Sequence, residues 1–258
     1  MQNETPNELG SESEEKPEPK ASTENKLAIP MAIVVAGAMI AGAIYFSSIG
    51  TTSNDLSQEK ISEEKLENLR PISKRDHIRG DLKAPVKIIE YSDTECPFCK
   101  TFHTTMKRIY DEYGKSGEVA WIYRHSPLYR PNSLGQSLHS KALKEAEAQE
   151  CAYEQGGNEK FWEYTDRMYE ITPSNNRFDM NELPKIAEFV GLDVNQFNTC
   201  LNSGKYKDYV DSDLENAYDT GGGATPWNII ITKDGKKYPL MGGQPYESMK
   251  QIVEFGLK

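Results

Sequence analysis

Apolar and polar residues divide this chain into four successive stretches. Met1 to Lys26 is almost wholly polar, with seven Glu, three Pro and hardly a large apolar side chain. So little apolar surface cannot offset the entropy of ordering, which predicts a disordered tail over 1–26. Leu27 to Phe46, "LAIPMAIVVAGAMIAGAIYF", then runs for 20 residues without a charge. At about 1.5 Å per residue a helix of that length matches the roughly 30 Å hydrocarbon core of a bilayer, so a transmembrane helix is expected there. From Ser47 to Arg79 the chain is polar and charged, with room for one short helix around Ile61 to Leu69, and reads as a spacer.

The fourth stretch, 80–258, has the alternation of a folded domain. Val86 to Tyr91 in "APVKIIEYSD" is β-branched and aromatic, as a buried strand requires. Beyond it, Phe102, Met106, Ile109, Tyr110 and Tyr113 form one apolar stripe at helical spacing that Gly114 ends. The strand "EVAWIYRH" follows, and strand, helix, strand with this crossover predicts a parallel βαβ unit. Between about 131 and 218 the periodicity is helical throughout, broken at Gly156-Gly157, Gly191 and Gly204. "WNIIIT", a Lys233-Asp234-Gly235 turn, "KKYPLM" and a helix from about Tyr246 to Leu257 complete the order β-α-β, helical block, β-β-α. The expectation is one α/β domain with a mixed sheet and an all-helical insertion.

Charge orients this plan. The net charge of −10 and pI near 5.1 exclude a polyanion-binding surface, so no nucleic acid partner is expected. Lys16, Lys20 and Lys26 precede the apolar run, and Ser47 to Glu59 after it holds no Lys or Arg. Positive residues stay inside, which puts the tail in the cytoplasm and the domain outside. A cleaved signal peptide has a shorter apolar core behind a basic start, whereas here the run follows an acidic tail, favouring an uncleaved signal-anchor in the cell membrane. All four cysteines then lie where disulfides persist.

Two of them, Cys96 and Cys99, stand in "EYSDTECPFCKTFH" and are open to three uses: metal binding, a structural disulfide or electron exchange. A metal needs two more ligands, and only His103 lies nearby, with no second C-x-x-C or H-x-x-x-H. Covalent haem would need His where Lys100 stands. A first cysteine at a loop end and a second in the first helical turn favour electron exchange, because free N–H groups and the helix dipole stabilise a thiolate on Cys96. Cys96 is then the exposed attacking thiol and Cys99 the shielded resolving one. Cys151 and Cys200 fall on apolar helix faces 49 positions apart. A structural disulfide, contributing roughly 4 kcal/mol by loop closure, is favoured over two buried free thiols. His77, His125 and His139 have no ligand or triad spacing and read as surface or packing residues.

"CPFC" after a strand, the βαβ start, the helical insertion and "GATP" before the next strand together resemble the DsbA-like thiol-disulfide oxidoreductases of the thioredoxin superfamily, over roughly Gly80 to Lys258. The resemblance implies a thioredoxin fold, with Thr225 and Pro226 as the cis-proline loop that lies against the cysteines and pairs with substrate backbone. It also implies that Glu90, six residues before Cys96, is a buried acid moving protons for the resolving cysteine. Exported cysteine-containing proteins are the implied substrates, no soluble cofactor is implied, and a DsbB-like or VKOR-like quinone-linked membrane partner would reoxidise the pair. Pro97 and Phe98 are the implied modulators. Strongly oxidising members often carry His at the Phe98 position, and Phe98 offers Cys96 no donor, which predicts a thiolate less stabilised than in a C-P-H-C protein. That leaves a disulfide reductase or isomerase open beside the oxidase, and a thiol-based metal carrier or redox-inactive binding module outside this class.

Overall fold

The computed structural model describes residues 64–258. The tail, the transmembrane helix expected at Leu27 to Phe46 and the spacer up to residue 63 lie outside the described residues. Among those described, no helix is long and apolar enough to cross a membrane.

A five-stranded mixed sheet organises the domain. Strands β1 (His77–Arg79), β2 (Val86–Ser92), β3 (Val119–His125), β4 (Trp227–Ile231) and β5 (Lys237–Met241) lie in the order β1-β3-β2-β4-β5. Only β2 and β3 run parallel, in register from Val86 opposite Val119 to Ser92 opposite His125. Helix α1 (Pro97–Ile109) joins them, continued by one wider turn over Tyr110–Gly114. Helices α2 (Ala142–Ile171), α3 (Glu182–Phe189), α4 (Val194–Ser203) and α5 (Lys207–Asp219) form the insertion, and α6 (Tyr246–Gly256) closes the chain.

Because side chains alternate across a strand, the two faces of the sheet have different contents. Val86 and Ile88 of β2, with Val119, Trp121 and Tyr123 of β3, pack against Phe102, Met106 and Ile109 of α1 and Met249 and Val253 of α6. On the opposite face Ile89, Tyr91, Ala120, Ile122 and Ile229 meet Leu66 and Ala217. A third core lies within the insertion, around Cys151, Tyr164, Met168, Phe197 and Cys200. Helix α2 links the first and third cores, since Phe161, Trp162 and Tyr169 face the sheet while Tyr164 and Met168 face the insertion. The glycine pair expected to separate two helices does so within α2: Gly156 and Gly157 are non-helical and two helical segments meet there at a kink, with Gly157 at φ 65°, a conformation that costs glycine little. Cys151 on α2 and Cys200 on α4 are joined by a disulfide.

The charged stretch read as a spacer does more than connect. In its described part Leu66 is buried in the second core, and His77 to Arg79 add an edge strand. This stretch is anchored through buried Arg124, whose Nε donates to Asp76 Oδ1 at 2.6 Å, while Nη1 reaches Tyr91 Oη at 2.9 Å and Nη2 donates to the Arg70 carbonyl at 2.9 Å. Arg70 in turn pairs with Asp213 on α5 at 2.6 Å. Hydropathy could not reveal this, because the stretch is held by polar pairs that reach partners far along the chain.

Two outcomes test these assignments. Arg124→Met leaves Asp76 as a poorly compensated buried carboxylate and should cost about 3–5 kcal/mol in urea unfolding. The Cys151→Ala/Cys200→Ala double variant should lose about 2–5 kcal/mol while its remaining thiols stay as reactive as before. Losses below about 1 kcal/mol would contradict either assignment.

Candidate active site

Strand β2 ends at Ser92, and four residues later Cys96 occupies the N-cap of α1, in extended conformation at φ −81° and ψ 121°. Pro97 is the first helical residue, where its missing N–H costs nothing and its fixed φ suits the helix. Cys99 therefore lies in the first turn, and both thiols are free. Neither is open to solvent: Cys96 is 5% exposed and Cys99 fully buried. The expected contrast between an exposed and a shielded thiol is thus small in area, because the loop before Pro226 covers Cys96. Phe98 between them is 69% exposed.

The peptide bond between Thr225 and Pro226 is cis, and the Thr225 carbonyl oxygen accepts from Cys96 Sγ at 3.4 Å. The loop after β5 closes in from another side. A Cβ on Gly243 would come within 2.9 Å of Phe102 Cβ and 3.1 Å of the Phe98 carbonyl oxygen, so this approach to α1 needs glycine.

The two thiols differ in electrostatics more than in exposure. A hydrogen bond from Cys99, outweighing the cost of burial and helped by the backbone N–H groups of Cys99 and Phe98, lowers the Cys96 pKa to about 6. Burial and the neighbouring Cys96 thiolate push Cys99 well above the ordinary thiol range. One thiolate is therefore stabilised at neutral pH and the other thiol is kept protonated.

Glu90 lies on the same face of β2 as Val86 and Ile88, and is fully buried. Burial raises its pKa to about 7, against the opposing effect of hydrogen bonds from Ser92 Oγ (2.6 Å) and Trp121 Nε1 (2.9 Å). Ser92 Oγ is also 2.8 Å from Tyr169 Oη on α2. Sequence reasoning found Glu90 only through resemblance and missed Ser92 and Tyr169. The two-residue spacing on one strand face could have indicated Ser92, but Tyr169 is brought in by a helix 77 residues away.

Other acids surround the active-site loop. Asp93 accepts from the Glu95 backbone N–H and pairs with His139 Nδ1, both at 2.8 Å. Glu145 on α2, its pKa raised to about 9 by burial and by sharing a hydrogen bond with Glu95, accepts from Thr94 Oγ1 at 2.5 Å. The histidines without recognisable spacing are all buried packing residues rather than surface ones. His77 and His125 both point Nε2 at Glu150 Oε1, at 2.6 and 2.7 Å. Those three form the group among the described residues whose donor atoms lie close enough to suit a metal, and their contacts are hydrogen-bond distances. His103 turns from the cysteines to Asp166 Oδ1, 2.7 Å away.

A thioredoxin family model matches residues 73–254. This chain belongs to the thioredoxin family. Among solved structures, this thioredoxin-family chain is similar to Pseudomonas aeruginosa DsbA2, with 27% identity, 72% of this chain and 95% of that one covered, and a TM-score of 0.56. Wolbachia pipientis α-DsbA1 is 26% identical, with 74% and 94% covered and a TM-score of 0.60. BdbD from Bacillus subtilis, 18% identical with 72% and 95% covered, shares the fold with a TM-score of 0.60. A curated relative, Na(+)/H(+) antiporter NhaA 1 of Mycolicibacterium gilvum, is 32% identical over 67% of this chain. The chain spans about a quarter of that relative's length (26%), and the antiporter name describes the longer protein. The free Cys96–Cys99 pair at the start of α1 and the likeness to DsbA structures agree with one another.

The electrostatics predict a pH profile. Alkylation of reduced Cys96 by iodoacetamide should have its midpoint near pH 6. Since the folded pKa lies below the unfolded one, the thiolate stabilises the reduced fold fully above the free-thiol pKa and ceases to do so as pH falls through about 6. Phe98→His adds a donor beside Cys96 and should lower its pKa by about one unit, ~1.4 kcal/mol, raising the reduction potential by about 30 mV. An unchanged midpoint and potential would refute the role given to Phe98.

Proposed function

We propose that this chain is an extracytoplasmic dithiol oxidase that introduces disulfides into exported proteins through the Cys96-Cys99 pair. A substrate thiolate attacks Cys96 Sγ of the oxidised pair, the Cys96–Cys99 bond breaks, and Cys99 leaves and takes up a proton. A second substrate thiolate then attacks the substrate sulfur of the mixed disulfide and expels Cys96 as a thiolate. The substrate leaves oxidised, and two electrons stay on the enzyme as the reduced pair. The observation that carries this reading is the free Cys96 thiol at the N-cap of α1, a setting that lowers its pKa to about 6, because a good leaving group makes the last step fast and the oxidised pair a strong electron acceptor.

Other residues fit supporting roles. The cis Thr225-Pro226 segment, in contact with Cys96, would pair with substrate backbone beside the attacked sulfur. Glu90, with a pKa near 7, would supply and recover the Cys99 proton. Pro97 and Phe98 would set how oxidising the pair is. A quinone-linked membrane partner of DsbB-like or VKOR-like type would remove the electrons, and the apolar run Leu27 to Phe46 would hold the domain near it outside the cell membrane. Phe98 supports a second reading, a reductase or isomerase, because its side chain gives the thiolate no donor.

Equilibration with glutathione buffers separates the two. An oxidase of this kind should have a potential well above the roughly −270 mV of thioredoxin and below the roughly −120 mV of DsbA, whereas a value at the thioredoxin level would favour the reductase. Cys96→Ser should abolish thiol exchange and Cys99→Ala should accumulate mixed disulfides. Full activity in Cys96→Ser would refute the nucleophile assignment.

A further inference from the structure

Asp93, in the loop between β2 and α1, meets both cysteines through its backbone. Its N–H donates to Cys99 Sγ at 3.5 Å, and its carbonyl oxygen accepts from the Cys96 N–H at 3.1 Å. Its side chain fixes the loop around these two contacts. Oδ1 accepts from the Glu95 N–H, and Oδ2 accepts from the Leu128 N–H and from His139 Nδ1, all three at 2.8 Å. A carboxylate accepts and does not donate, so Nδ1 carries the proton between Asp93 and His139.

His139 is itself held in place. Its backbone N–H donates to the Leu128 carbonyl oxygen at 3.0 Å, just before α2 begins. Asp93, Leu128 and His139 thus close a triangle of hydrogen bonds joining the active-site loop, the segment after β3 and the start of the insertion. Asp93 and His139 are both buried, so a donor lost from this triangle is not replaced by water. Cys99 is fully buried as well, and negative charge that develops on its sulfur depends on donors the fold supplies. The Asp93 N–H is aimed at that sulfur as an oxyanion-hole donor is aimed at a developing oxyanion.

We propose that the Asp93 N–H is a catalytic donor to the Cys99 sulfur, and that His139 is the positioning residue that holds it there through the Asp93 carboxylate. This rests on the dithiol exchange proposed above. When a thiolate attacks Cys96 Sγ, the Cys96–Cys99 bond breaks and its electron pair leaves on Cys99. The Asp93 N–H strengthens its hydrogen bond to that thiolate and keeps its own proton, and Cys99 then takes up a proton as in the exchange above. In the reverse direction the same donor stabilises the Cys99 thiolate before it attacks the mixed disulfide. Cys99 is half of a disulfide in the oxidised pair and a thiol in the reduced one, so the donor acts on the passage between them and leaves the reduction potential unchanged.

The test follows reduction of the oxidised, purified full-length chain by dithiothreitol, whose second thiol completes the exchange intramolecularly, so that the rate reads the departure of Cys99. His139→Leu fills a similar space without a donor and should slow reduction about tenfold, the factor expected when one hydrogen bond to a charged group is weakened. His139→Asn is smaller but carries an amide N–H on the same side-chain carbon as Nδ1, and should recover most of the wild-type rate. A packing role predicts the reverse order. Asp93→Asn keeps the shape, gives up the charge and turns an amide towards donors, and should be slowed at least as much as His139→Leu, which preserves the test if His139→Leu folds poorly. In all three the potential against glutathione should equal that of the wild type. A wild-type rate in His139→Leu or Asp93→Asn overturns the proposal, and so does a His139→Asn as slow as His139→Leu. A shifted potential also overturns it, because His139 would then act on the charge of Cys96 rather than on the departure of Cys99. In those three cases the dithiol reading stands, whereas a wild type that fails to exchange with dithiothreitol overturns both.

Discussion

The setting of the Cys96–Cys99 pair depends on the seven-residue parallel pairing of β2 with β3. Parallel strands need a crossover, and a parallel pair must be covered on both faces, so α1 is required on one side and the Arg124 network with α5 on the other. The end of β2 is therefore a place where a buried strand turns directly into a helix N-terminus. That position puts Cys96 where free backbone N–H groups converge and Glu90 where water does not reach. Both properties come from one topological requirement, and they have opposite effects, stabilising charge on the sulfur and opposing it on the carboxyl.

The helical insertion is more than a lid over this centre. Through the kink at Gly157, α2 presents Trp162 and Tyr169 to the sheet and Cys151 to its own core, so insertion packing determines where Tyr169 Oη lies. The Cys151–Cys200 disulfide ties α2 to α4 within that core. The face that meets Cys96 and Cys99 is thereby joined to a core cross-linked by its own disulfide.

A polar layer continues from the site. Burial would protonate Glu150, but His77 and His125 on one oxygen hold its pKa at about 2, joining β1 and β3 to α2. Glu145 takes the opposite course, since burial raises its pKa and its partner is another acid, and it stays protonated at neutral pH. Buried carboxyls on one helix thus take different protonation states, set by their neighbours rather than by depth.

By itself the sequence determined what is periodic or adjacent. The strands Val86 to Tyr91 and "WNIIIT", the α1 stripe and the order of elements are legible because burial on one face imposes a repeat of two or 3.6 residues. The placing of Cys96 at a helix start is equally local, since Pro97 marks the first turn. Only the tertiary structure decided which polar residues meet: Arg124 with Asp76, two histidines with Glu150, and Ser92 with Tyr169. Those contacts join residues 25 to 77 positions apart. A buried hydrogen bond leaves no periodic trace in the chain, because its partner is chosen by the fold after the apolar pattern has assembled it.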